Sequence, residues 1–182
     1  MEIMKDGHDS AFIDYDVMEE SPAGPLLLAA TDRGLCTVAF GGLPDALEKL
    51  QRWKGNWMPQ AGLRRNPGRL RTVAVQLDEY FIGRRKEFDL PIDLRGTEFQ
   101  RRVWTALLKV PYGDTASYKD IAESIGAPKA VRAVGGANNR NPVPILVPCH
   151  RIIGASGQLV GYAGGLNIKT TLLQLEISAE TS

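Results

Sequence analysis

Along the first forty residues the apolar positions come in strand-length blocks. The segments "PLLLAAT" (25–31) and "LCTVAF" (35–40) flank "DRG", a short turn whose glycine can take positive φ, and together they predict a β-hairpin. The period then changes. In "PDALEKLQRW" (44–53) Pro44 sits in a first helical turn, and Leu47, Leu50 and Trp53 share one face. Glycines and prolines in "GNWMPQAGLRRNPG" (55–68) break that pattern before a second helix, "RLRTVAVQLDEYF", with Leu70, Val73, Leu77 and Tyr80 at helical spacing and Gly83 as its stop. "GRRKEFDLPIDLRG" (83–96) reads as a short strand and a linker, which places a domain boundary near Arg95.

Beyond that boundary the pattern is helical. "TEFQRRVWTALLKV" offers Thr97 as N-cap and Phe99, Val103, Leu107 and Val110 as one stripe, and "PYGD" ends it. "SYKDIAESIG" opens at Ser117 with Asp120 three residues on, a capping-box spacing, and closes at Gly126. After the turn "GAP" a third helix runs through "KAVRAVGGANN" (129–139), so 117–139 has the outline of a helix-turn-helix. Its second helix is nearly bare: Ala130, Ala133, Gly135, Gly136 and Ala137 surround one long side chain, Arg132. Small residues there serve either a close approach to a narrow groove or tight helix packing. The last helix, "NIKTTLLQLEI", presents Ile168, Leu172 and Leu175 inward.

Composition narrows the class. The 182 residues are 43% apolar and 24% charged, as in ordinary soluble domains, and no apolar run approaches the ~20 residues that span a bilayer. The first twenty residues hold one lysine against seven acids and no apolar core, so no secretory signal is expected and the reading is cytoplasmic. Residues 1–95 carry 13 Lys/Arg against 15 Asp/Glu, and residues 96–182 carry 9 against 6. That excess is too small to argue for nucleic acid unaided. Two cysteines are too few for a disulfide framework, and neither sits in a CxxC or CxxxH pattern, so no structural zinc or other metal is expected.

One of those cysteines stands out. Cys36 alternates with strand neighbours and reads as a small buried hydrophobe. Cys149 instead ends "PVPILVPCHRIIG" (142–154), an aliphatic, strand-like run stiffened by prolines, and it adjoins His150 and Arg151, both able to favour a thiolate. On an extended chain neighbouring side chains diverge, so His150 reaches the sulfur only if the chain turns here. Glu176, beside the inward face of the last helix, is the candidate to orient the imidazole in a nucleophile–base–carboxylate relay, unless it is a solvated helix charge. A cysteine hydrolase and a DNA-binding module without chemistry remain open at this point.

"NPVPILVPCHRIIG", with "GYAGGLNIKTTLLQLE" after it and "SYKDIAESIGAPKAVRAVGGANNRN" before it, resembles the active-site region of the O6-alkylguanine-DNA alkyltransferases, the methylated-DNA–protein-cysteine methyltransferases. The likeness is close over residues 97–176; before that only the hairpin-then-helix outline is shared. It implies an α+β chain: a small ribonuclease H-like α/β domain over 1–95 with linker, and a mainly helical, winged-helix-like DNA-binding and alkyl-acceptor domain over 96–182. It implies that Cys149 takes an alkyl group from guanine O6, and from thymine O4, in a single irreversible turnover. His150 would be the base, acting through a water, and Glu176 its orienter. Asn141 would hold the turn before the active-site strand, and Tyr118 would donate to the purine.

The same resemblance puts double-stranded DNA in contact with Arg132 (the finger replacing a flipped base), Tyr118, Ser117, Ala130, Ala133, Gly135 and Arg151, from the minor groove. Ile152, Tyr162, Ala163 and Gly164 would line the guanine pocket, with the Ala163 N–H facing O6 and the Cys149 and Ile152 carbonyls receiving the exocyclic amine. The family often has serine where Ala163 stands, and "ANNR" (137–140) varies at the pocket rim, which leaves the range of alkyl groups open. The protein is expected to be a monomer that binds DNA and needs no cofactor.

Overall fold

The computed structural model describes residues 11–180, so the first ten positions of the N-terminal segment lie outside the described residues. The chain divides into two compact units, one ending at Arg95 and the other beginning at Gly96.

The first unit is built on a four-stranded sheet of order β3-β2-β1-β4, with β1 Phe12–Met18, β2 Leu26–Thr31, β3 Gly34–Phe40 and β4 Gly62–Arg65. β2 pairs antiparallel with β1 and with β3, closing the expected hairpin, and β4 joins β1 in parallel. All residues of β2 and β3 are buried, which a strand achieves only if both faces are covered. Leu27 and Ala29 cluster with Ala46, Leu50 and Trp53 of α1 (Leu43–Trp57). The alternate residues Leu26 and Leu28 are equally buried, and α2 (Pro67–Phe81) packs on β1 and β2. Gly34 has φ +139, and a Cβ there would lie 2.3 Å from the Pro91 oxygen. Glycine therefore lets the linker dock: Leu35 N–H donates to Pro91 O and Asp93 N–H to Leu35 O, both at 2.9 Å.

Four expectations change here. α1 runs on through Gly55 to Trp57, and "GLRR" is a strand, because its partner β1 lies far back in sequence where no local pattern reveals it. The short strand expected in 83–96 is only a single bridge between Ile92 and Leu35. Leu47 is partly buried, while Ala46 takes the inward place beside Leu50 and Trp53.

The second unit holds α3 (Glu98–Leu107), α4 (Tyr118–Ser124), α5 (Val131–Asn139) and α6 (Leu166–Glu180), with β5 (Ala116–Ser117) and β6 (Ile152–Ile153) as a short parallel pair. Thr97 and Ser117 each form a full capping box, with Gln100 and Asp120, an arrangement worth about 1 kcal/mol per cap. α5 packs on α3 and α4, and Trp104 Nε1 donates to Ala137 O at 2.9 Å across α3 and α5. The turn before α5 extends to Ala130, leaving Lys129 outside the helix.

The proline-rich run is not a strand. Pro142, Pro144 and Pro148 lack the N–H that a ladder needs, and only an isolated Pro144–Val147 bridge forms. Ile145 takes φ +75 while 1% exposed, a left-handed conformation that costs a β-branched residue roughly 1–2 kcal/mol. Cys149–Arg151 then forms one turn of 3-10 helix. No helix among the described residues is long and apolar enough to cross a membrane.

Candidate active site

The cysteine is delivered by a braced turn. Asn141 is 8% exposed and works in both directions: its Nδ2 donates to Val147 O at 2.8 Å, and its Oδ1 accepts from Val143 N–H at 3.0 Å. One amide thus replaces the partners that a strand would have supplied, and it holds Ile145 in its strained conformation. Cys149 N–H closes onto Val147 O at 2.8 Å and Arg151 N–H onto Pro148 O at 3.0 Å.

Cys149 and His150 thus share one turn of 3-10 helix rather than an extended chain. His150 is fully buried, and its Nε2 donates to Glu176 Oε1 at 2.7 Å. An ionised carboxylate only accepts, so Nε2 carries the proton and Nδ1 is the basic nitrogen of the neutral ring. Burial lowers the His150 pKa against the opposing pull of Glu176. Glu176 itself is fully buried on α6. Burial alone would raise its carboxyl, but hydrogen bonds from His150 and Arg151 outweigh it and hold the value down at about 2. The Gly113 N–H adds a further bond to Oε2, at 3.1 Å. Glu176 is therefore no solvated helix charge.

Arg151 is corrected by the same network. Expected to face DNA, it is 7% exposed, with Nε and Nη2 on the two Glu176 oxygens at 2.9 Å and Nη1 on Val110 O at 2.7 Å. Its guanidinium is spent inside the protein, where it balances the carboxylate. Ser117 is also committed: its Oγ accepts from Asp120 N–H at 3.0 Å and donates to Asp120 Oδ2 at 2.7 Å.

Around the sulfur the environment is dry but polar. Cys149 is 2% exposed. Burial pushes its thiol up to about 11, opposed by hydrogen bonds from Asn141 and Tyr162 and by the charge of Lys169. Tyr118 is half-buried; burial raises its pKa, and its hydroxyl donates to Val160 O at 3.1 Å. Gly135 passes close to that ring: a Cβ there would lie 3.9 Å from it. Ile152 and Tyr162 are buried, Gly164 is partly so, and Ala163 is exposed. On α5, Arg132 and Ala133 are exposed and Ala130 is partly so, and nothing brings these three against the Cys149 cluster.

Two residues escaped the sequence reading. Asn138, read as pocket rim, is 1% exposed, and its Nδ2 donates to Cys149 O at 3.4 Å. Lys169 is fully buried, with Nζ on Ile152 O at 2.5 Å and Val160 O at 3.2 Å, and burial lowers its pKa. The inward stripe of α6 is thus Lys169, Leu172 and Glu176, with Ile168 and Leu175 only partly buried. A search for apolar periodicity passes over such a stripe by construction. No group of three His, Cys, Asp or Glu side chains able to hold a metal exists among the described residues.

The assembly holds a buried thiol next in the chain to an oriented imidazole, with a phenol and several carbonyls nearby. Comparisons with known proteins agree in both units. Residues 13–94 match the family described as "6-O-methylguanine DNA methyltransferase, ribonuclease-like domain", and residues 98–178 its "DNA binding domain". A methylated-DNA–protein-cysteine methyltransferase of Mycobacterium leprae is 52% identical over 86% of this chain and 88% of that protein. One from Methanosarcina acetivorans is 48% identical over 89% of this chain and 97% of its own. A crystal structure of Mycobacterium tuberculosis OGT in complex with DNA superposes with a TM-score of 0.79 at 48% identity, covering 91% of this chain and 94% of that one.

Proposed function

This chain belongs to the 6-O-methylguanine DNA methyltransferase family, and from that premise we propose that it repairs DNA by moving a methyl group from guanine O6 to Cys149. The observation that carries the reading is the buried Cys149 turn, joined through His150 to a Glu176 that is already balanced by Arg151.

The chemistry follows from that arrangement. A thiol held at about 11 is protonated at neutral pH, so its proton must leave as the reaction begins. His150 Nδ1 is the base that takes it, directly or through a water, and Glu176 stabilises the imidazolium that results. The thiolate attacks the methyl carbon in line; the S–C bond forms as the C–O6 bond breaks, and the electron pair leaves on the purine. Tyr118 donates a hydrogen bond from its hydroxyl to a ring nitrogen and so stabilises the departing guanine anion.

The product is a thioether, which offers water no carbonyl to attack. Each protein molecule therefore acts once. Thymine O4-alkyl groups meet the same sulfur by the same displacement.

DNA is the partner, and the target base must leave the stack to reach a sulfur this deeply buried. The exposed Arg132 fills the vacated space, while the small residues Ala130, Ala133 and Gly135 let α5 approach a minor groove closely. The flipped base lies against Ile152, Tyr162, Ala163 and Gly164. The carbonyl oxygens of Cys149 and Ile152 keep a second lone pair for its exocyclic amine even while Asn138 and Lys169 donate to them.

The test is intact-protein mass spectrometry after incubation with an O6-methylguanine duplex. One methyl per protein on Cys149, with no further reaction on adding more duplex, is expected. Continued loss of the lesion with an unmodified Cys149 would overturn the assignment, and so would a Cys149→Ser protein that still clears it.

A further inference from the structure

The hydroxyl of Tyr118 has one proton to give. In the free protein that proton goes to Val160 O at 3.1 Å; in the reaction described above it goes to the purine. Binding a base therefore takes a donor away from Val160. Its carbonyl belongs to a loop without regular structure, Val160 is 42% exposed, and Gly161 and Gly165 both take positive φ.

A second donor meets the same carbonyl from the other side. Lys169, on α6, reaches Val160 O at 3.2 Å and Ile152 O at 2.5 Å. It is fully buried, and carbonyls rather than an acid surround its ammonium. Taking a charge out of water in this way is costly, and an apolar side chain of the same length would fill the space at less cost. Besides the ammonium charge near Cys149, what an apolar side chain lacks is N–H donors to bridge the Ile152 and Val160 carbonyls.

We propose that Lys169 is a positioning residue that keeps the Val160–Gly165 loop fastened to Ile152 and α6 while Tyr118 transfers its hydrogen bond from Val160 to the bound base. The inference rests on the functional reading above. Tyr118 and Lys169 share one acceptor in the free protein, and only Lys169 keeps it in the complex. The loop over the pocket then stays in place when its tyrosine lets go.

Hydrogen exchange over residues 158–165 tests this, with Cys149→Ser used throughout so that the complex does not react. Lys169→Met and its parent are compared free and bound to an O6-methylguanine duplex, and the variant-to-parent ratio of exchange rates removes the shielding that DNA itself brings. In the free proteins Tyr118 still holds Val160, and the ratio stays within about twofold. In the complexes it rises about tenfold, the consequence of one lost hydrogen bond. Equal ratios in the two states overturn the proposal.

If Lys169→Met does not fold, Tyr118→Phe answers the same question. Loop exchange in the free Tyr118→Phe protein stays within about twofold of the parent if Lys169 suffices, and a tenfold rise refutes it. Failure of the functional reading shows separately, as a Cys149 protein that gains no methyl.

Discussion

Each unit of the molecule buries a cysteine, and each buries a carboxylate paired with an arginine. In the sheet unit Cys36 is fully buried, with Sγ donating to Ala29 O at 3.4 Å, and Asp93 accepts from Thr31 Oγ1 at 2.7 Å and from Arg95 Nη2 at 3.0 Å. In the helical unit Cys149 is 2% exposed, and Glu176 pairs with Arg151. The thiols nevertheless differ. Burial drives Cys36 far up and the charge of Asp93 pushes it further, against a hydrogen bond from Thr37 and the charge of Arg95, whereas at Cys149 burial alone raises the thiol and Asn141, Tyr162 and the Lys169 charge oppose it. Depth is common to both; the company each sulfur keeps is not. A nucleophile in a buried site needs its carboxylate kept off the sulfur, one residue away behind an imidazole, so that donors and positive charge act on the thiol unopposed by a negative neighbour.

The largest test of that contrast removes each carboxylate. Glu176→Gln leaves Arg151 buried without its counter-charge and His150 without its orienter. It should cost about 3 kcal/mol in thermal unfolding and slow single-turnover methyl transfer about 100-fold. Asp93→Asn leaves the partly buried Arg95 without its counter-charge; it should cost less stability and leave the transfer rate per folded molecule within about twofold, because effects at separate sites add independently. A transfer rate falling equally in both variants would end the contrast.

Acid provides the next test. The Glu176 carboxyl is held at about 2 in the folded state against an ordinary 4.5. Its contribution is therefore complete above the ordinary value and is lost as pH falls toward 2. The difference corresponds to about 3 kcal/mol. His150, kept neutral by burial, acts in the same direction: its folded pKa is lowered, so stability declines as pH drops below the usual histidine range. Melting temperatures from pH 7 to pH 3 should fall more steeply for the parent than for Glu176→Gln, whose position 176 no longer titrates. Parallel curves would show that Glu176 is not the acid-sensitive group.

The same two sulfurs show what a sequence discloses. Cys36 was legible as core because strand alternation around it is local, and Cys149 was legible as chemistry because prolines and polar neighbours interrupt its run. The capping box at Ser117 and the N-cap at Thr97 were legible too, since a cap and its partner lie within three residues. What stayed hidden depends on distant partners. Arg151 looked like a surface cation until Glu176, 25 residues on, was placed against it. Lys169 drew no notice beside the apolar residues of α6, and β4 had no visible partner until β1 was laid beside it. Even the strand expected of 142–148 fails for a reason present in the chain, since three prolines leave it too few donors.

The smallest test concerns Ser117, which the resemblance assigns to DNA and the structure commits to a cap. Its hydroxyl donates to Asp120 Oδ2 and accepts from the Asp120 N–H, so no proton remains for a phosphate oxygen. Asn66, in the other unit, caps α2 by accepting from Arg69 N–H at 3.2 Å, with no DNA role assigned. If capping is all that Ser117 does, Ser117→Ala and Asn66→Ala should each cost about 1 kcal/mol in unfolding. Their effects on duplex binding should also match, each within about twofold of the parent when titrated in a Cys149→Ser background, since surface changes of this kind rarely reach further. A Ser117→Ala protein that keeps its stability but loses about tenfold in duplex affinity would mean the hydroxyl leaves Asp120 for a phosphate. The N-terminus of α4 would then be a DNA contact held in reserve by its own cap.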